Sequence, residues 1–272
     1  MKHFLRALVS LLPAVLGLSL AGVIEAVPAG AAPSGFTCPG TVTPYNPQPV
    51  PDGTYASLTV PQGSLCFISG PVTVNHPVTL GAGAGFGLVG GSLIVNGTVT
   101  VGPGAAFGDL NGVYPITVNG SVFIQSNGDM GMVGGTIGGS VLATAPSALE
   151  LYYNQVSGKV SIAGGGGTNP VLDAIGQTQY QFVDLENNMI SGPLTETGYA
   201  GPGSQYGYAG VFFENHTGPM TLSNNSGAPI GVGDNVINGP ATCSGNTPTP
   251  ELFDASTVSG PIKGDQGAAC FG

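Results

Sequence analysis

Hydrophobic and polar residues alternate in short runs along this chain, as at residues 57–60 (Ser-Leu-Thr-Val), 98–101 (Thr-Val-Thr-Val), 121–124 (Ser-Val-Phe-Ile) and 159–162 (Lys-Val-Ser-Ile), with clusters of Gly, Asn, Ser and Pro between them. A period of two predicts strands joined by turns. Nine turns share one frame, hydrophobic-x-Gly-x-hydrophobic, centred on Gly70, Gly97, Gly120, Gly139, Gly158, Gly192, Gly218, Gly239 and Gly260. Two positions after each glycine the residue is apolar, from Val72 to Ile262; two positions before it His216 is the one exception. Hairpins would not place the same residue type at the same offset in every unit, whereas coils stacked in register require it. The pattern therefore predicts an all-β, right-handed parallel β-helix, a solenoid of about eight to nine coils.

Three segments precede or interrupt that pattern. Residues 1–31 read as a secretory signal peptide: Lys2 and Arg6 lead an apolar run to Ile24, closed by Ala29-Gly30-Ala31. Residues 32–57, with Pro44, Pro47, Pro49 and Pro51, read as an extended lead-in to a single β-helix domain at 58–272. Two spacings are too long for a bare coil, and they predict loop outgrowths near 164–181 and 197–210, where function usually sits on a rigid scaffold.

Without its leader the chain keeps two basic residues, Lys159 and Lys263, and 13 acidic ones, a net charge of 2 − 13 = −11 with no arginine. Phosphate and anionic lipid need Lys and Arg, so nucleic acid is excluded as a partner, and no apolar run after the leader is long enough for a membrane span. In an oxidising compartment four cysteines read as two disulfides. The ends of a stack lie far apart, so local closure is expected, Cys38 with Cys66 and Cys243 with Cys270, each bridge holding a terminal coil. Metal and cofactor sites are not expected: no Cys-x-x-Cys occurs, only His76 and His216 follow the leader, and no helix can follow the chance Gly-x-Gly-x-x-Gly at 85–90.

The paired terminal cysteines, the Gly-x-Val-x-Val steps and the closing Cys-Ser-Gly-Asn-Thr-Pro at 243–248 resemble secreted actinobacterial right-handed β-helix proteins of uncharacterised function. That resemblance covers most of the mature chain and implies an architecture without an activity.

Candidate chemistry is sparse. Pectate-type lyases of this architecture use an arginine that this chain lacks, and Lys159 follows a turn glycine. Glycoside hydrolysis needs two carboxylates. Asp184 and Glu186 alternate along one strand, with Glu196 and Glu214 in the next repeats, so these four are the acid/base candidates. Tyr199, Tyr206 and Tyr208, in a glycine-rich loop, are the candidate binding residues, since exposed rings stack on sugars or on protein partners. Thr73, Thr98, Thr100 and Thr117 hint at a threonine ladder of the ice-binding kind, but their offsets change between coils. Sequons at Asn96, Asn119, Asn215 and Asn224 are expected to report turn chemistry. The expectation is a secreted, non-catalytic structural or adhesive protein at the cell envelope, with extracellular polysaccharide or an envelope component as partner. A glycoside hydrolase and a carbohydrate-binding module are the alternatives.

Overall fold

A computed structural model describes residues 33–109, 113–174, 182–203 and 207–272. The leader, Tyr206 and residues 175–181 lie outside that set. Three parallel sheets of eleven, ten and ten strands run the length of the molecule, and each coil adds one strand to each sheet in turn. The result is a β-solenoid of about ten coils, one or two more than the glycines suggest. The extra coil comes from the Pro-rich stretch read as a lead-in: Phe36–Thr37, Gln48–Val50 and Gly53–Tyr55 each open one sheet. Proline is tolerated there because an end strand has a neighbour on one side only.

The expected aliphatic ladder is present in the first sheet, where Val99, Val122, Val141, Val160, Leu194, Met220 and Ala241 stack in register and are fully buried. Each such side chain contributes about 1.5–3 kcal/mol on burial. Two members of the glycine series depart from the frame. Gly70 sits at another corner, between the second and third sheets, so Val72 belongs to the third sheet. At Gly218 the turn is one residue shorter: His216 pairs with Met189 and points outward, and Thr217 takes the inward place that Ile237 holds in the next coil.

Inside the turns after the second sheet runs a ladder of buried asparagines, Asn154, Asn188, Asn215 and Asn235. The side-chain oxygens of Asn188, Asn215 and Asn235 each accept from the backbone N–H and the amide of the asparagine one coil earlier, as Asn188 does from Asn154 at 2.9 and 3.2 Å, and that of Asn154 accepts from the N–H of Gly135. Each amide also donates to a carbonyl of the preceding coil, at Met132, Leu151, Leu185 and Phe212. The residue before each asparagine, Tyr153, Asn187, Glu214 or Asp234, has φ between 53° and 59°, the left-handed conformation that turns the chain and aims the asparagine inward. A second, exposed file, Asn75, Asn96 and Asn119, bonds side chain to side chain at the glycine turns.

Both disulfides, Cys38–Cys66 and Cys243–Cys270, are the expected local pairs. The second fastens the short helix Gly267–Phe271 over the open end of the core, where Cys270 and Phe271 are buried. No described helix is long and apolar enough to cross a membrane.

Candidate functional site: a buried carboxyl cluster and two hydroxyl files

The described part of the outgrowth, residues 164–174, folds back along the outer face of the second sheet, and its buried Asn169 donates to Ala105 O and Asn127 O, carbonyls of two consecutive coils, at 3.0 and 2.9 Å. The helix Pro170–Ala174 follows, with Val171 lying over Gly85 and Pro170 over Gly104, where a Cβ would meet them at 3.3 and 2.8 Å. Glycine at these positions makes the close approach possible.

On the same outer face lie Asp129, Glu150, Asp184, Glu186 and Glu251. Glu150 and Asp184 are register neighbours in adjacent strands, as are Tyr152 and Glu186. The Tyr152 hydroxyl donates to Asp184 Oδ2 at 2.6 Å, and Asp184, 4% exposed, meets the Glu186 carboxyl. Asp184 Oδ1 has no hydrogen-bond partner. Burial, then the charge of Glu186, raises Asp184 well above the usual carboxylate range. Glu186 is raised by burial and by Glu214, and Glu150 well raised by burial, Asp129 and Asp184. Burial and the charges of Glu150 and Asp184 push the Tyr152 phenol up as well.

Of the four acid/base candidates, Asp184 and Glu186 are thus brought together, with Glu214 close enough to act on Glu186 electrostatically. Glu196 is not part of the site. It lies in the first sheet and points into the core, stacked between Ile162 and Leu222, fully buried, with neither carboxylate oxygen hydrogen-bonded. Its carboxyl occupies space left by Gly210, whose missing Cβ would stand 3.5 Å from Oε1, and burial pushes its pKa up to about 8. Glu150 and Tyr152 are functional candidates that sequence reasoning missed. A carboxyl pair of this kind can donate and accept protons. Among the described residues no three His, Cys, Asp or Glu side chains are grouped to hold a metal ion. Two surface depressions lie elsewhere, one of about 240 Å³ beside Pro170 and Val171 and one of about 420 Å³ between Met189, His216 and Val236.

The tyrosine loop also differs from expectation. Tyr199 is fully buried, and its hydroxyl donates to Ser147 O at 2.5 Å, so it is a core residue and not a binding platform. A large ring folds inward because the loop supplies no apolar mass of its own. Tyr206 lies outside the described residues. Tyr208 donates to Glu251 Oε2 at 2.7 Å and meets Phe253 edge-on at 5.3 Å, with Phe213 beyond. That aromatic group covers Gly231 and Gly233 on the second sheet.

The outward positions of the first sheet form a long uncharged feature rich in hydroxyls. Thr37, Thr59, Thr79 and Thr100 lie in consecutive register; Phe123 and Leu142 follow; then come Ser161, Thr195, Thr221 and Thr242, and only the last strand brings a charge, Lys263. Beside the later stretch runs a parallel file, Thr144, Ala163, Thr197, Ser223 and Ser244. Of the threonines first considered, Thr100 alone belongs here. Thr73 and Thr117 face outward from the third sheet, and Thr98 is in a turn. Comparison of the chain with family models, with curated proteins and with solved structures returns no match.

Proposed function

We propose that this is a secreted, non-catalytic solenoid that adheres to an extended surface through the outer face of its first sheet. The observation that carries the reading is the pair of hydroxyl files. A chain with a net charge of −10 keeps ten successive coils of one face free of charge and sets Thr or Ser at most of them. Acidic residues collect on the second sheet instead. The two local disulfides and the expected leader support export.

The test is retention of the folded protein on a panel of extended surfaces: cellulose, chitin, isolated cell walls and ice. Wild type should be retained by at least one of them, and Thr221→Lys, which puts a charge in the middle of the files, should not. Failure on every surface, or equal retention of the variant, would sink the adhesive reading.

A glycoside hydrolase is the second reading, favoured by Asp184 and Glu186 standing two residues apart on one outer face of a strand. New reducing ends from pectins, β-glucans or arabinogalactans that vanish in Glu186→Gln would establish it in place of the first.

A further inference from the structure

Resting on the adhesive reading, we infer that the surface recognised by the first sheet is ice. Three properties of the face define its ligand. The ligand is uncharged, because the files are; it repeats in two directions, because the files do; and it is not enclosed, because the side chains stand on the outside of a sheet. Along the stack successive hydroxyls are spaced by the coil rise, about 4.8 Å, and across it Thr195 and Thr197 are two strand residues apart, about 6.6 Å. The same pairing recurs at Thr221 with Ser223 and at Thr242 with Ser244, giving six hydroxyls in a two-by-three array.

Thr195 donates to Ser161 Oγ at 3.1 Å and the hydroxyls of Thr197 and Ser223 bond each other at 3.2 Å, which orders the files along the stack. A hydroxyl that donates once still has two lone pairs with which to accept from a lattice water. The threonine methyl beside it excludes loosely held water. Charged heads would hold their own hydration against the lattice, and none intrudes before Lys263. The backbone beneath is hydrogen-bonded coil to coil without a register shift among the described strands of this sheet; the one shift among the described residues falls in the second sheet at Val232 and Gly233. The array is therefore already ordered before contact, and little entropy is lost when many weak contacts form together. A polysaccharide fits less well. Sugar rings are gripped by aromatic faces, and these files hold one ring, Phe123, while Tyr199 is buried and Tyr208 is bonded to Glu251.

The experiment grows a polycrystalline ice hemisphere slowly in a solution of the secreted protein and measures its partition into the ice, together with thermal hysteresis of single crystals. Enrichment in ice and faceted growth are expected for wild type, with loss of both in Thr221→Lys and in Thr195→Lys. Circular dichroism and melting of each variant are compared with wild type. If a lysine variant fails to fold, Thr221→Val, which keeps shape and removes the hydroxyl, takes its place and should weaken partition. Exclusion of the wild type from ice while cellulose, chitin or cell walls retain it through the same face would overturn the ice assignment and leave the adhesive reading standing. Partition into ice that is unchanged in every folded variant of these files would overturn both.

Discussion

Tyr152 and Asp184 stand 32 residues apart in sequence and one coil apart in space, joined by a 2.6 Å hydrogen bond from the phenol to Oδ2. The bond holds one oxygen of a buried acid whose other oxygen has no hydrogen-bond partner.

Removing the phenol alone, in Tyr152→Phe, should therefore destabilise the protein by about 1–3 kcal/mol, the cost of leaving a buried acceptor without its donor. Asp184→Asn keeps an acceptor for Tyr152 and removes the acid that stands beside Glu186, and should cost less. Urea unfolding of the two variants at pH 6 compares them directly.

Glu196 makes the stability pH-dependent in a direction opposite to that of a salt-bridged acid. Its folded-state pKa, about 8, lies above the ordinary value of 4.5, so the native state binds the extra proton. Its contribution is fully present below about pH 4, fades as pH rises, and is gone above about pH 8. Asp129, also pushed up to about 8 by burial, acts in the same sense. Melting temperature should fall from pH 4 to pH 8, and Glu196→Gln should flatten that slope while raising stability at pH 8. A melting temperature that climbs with pH in wild type would contradict the assignment.

The two asparagine files predict a contrast. Asn188→Ala strips a partner from the buried N–H of Asn154 and from Leu151 O, so it should cost several kcal/mol, at about 1–3 kcal/mol for each orphaned group. Asn119→Ala removes one exposed side-chain bond and should cost well under about 1 kcal/mol. The same contrast applies to sugar attachment. In a glycosylating host, mass spectrometry of the folded protein should find Asn96 and Asn119 modified and the buried Asn215 bare.

The aromatic loop yields a stability effect where a binding effect was expected. Tyr199→Ala should lower the melting temperature strongly, since truncating a fully buried large ring costs about 3–5 kcal/mol. Tyr208→Ala loses a half-exposed ring and a surface hydrogen bond, and should be mild. Thermal melts followed by near-ultraviolet circular dichroism measure both.

Much of the fold was legible because stacking repeats a local constraint: a tight turn that favours Gly, flanked by inward β-branched residues, recurs in every coil, and eight of the nine glycines mark the same corner. Gly70 misled because an apolar frame can arise at any corner where two strands meet. Thr217 was missed because a one-residue deletion slips the frame and puts His216 in its place. The asparagine ladder carried a signal that went unread: Asn154, Asn188 and Asn235 each precede a turn glycine by four residues, and Asn215 by three. Which acids meet was not legible. Glu150 lies 34 residues before Asp184, a gap lengthened by an outgrowth, and only the observed pairing makes them neighbours. Whether a file of alternating residues faces in or out depends on the same register. Glu196 and Asp184 look alike in sequence and point to opposite sides of the wall.

A stack in which each coil touches only its neighbours can be peeled from an end, one coil at a time. Asn169 alters that sequence of events. By gripping Ala105 O and Asn127 O from a segment that leaves the stack two coils later, it sews coils of the N-terminal half to the middle of the molecule. Pulled from its N-terminus, the rod will shed its first coils singly and then hold, until the strap gives way and several coils are released in a single step.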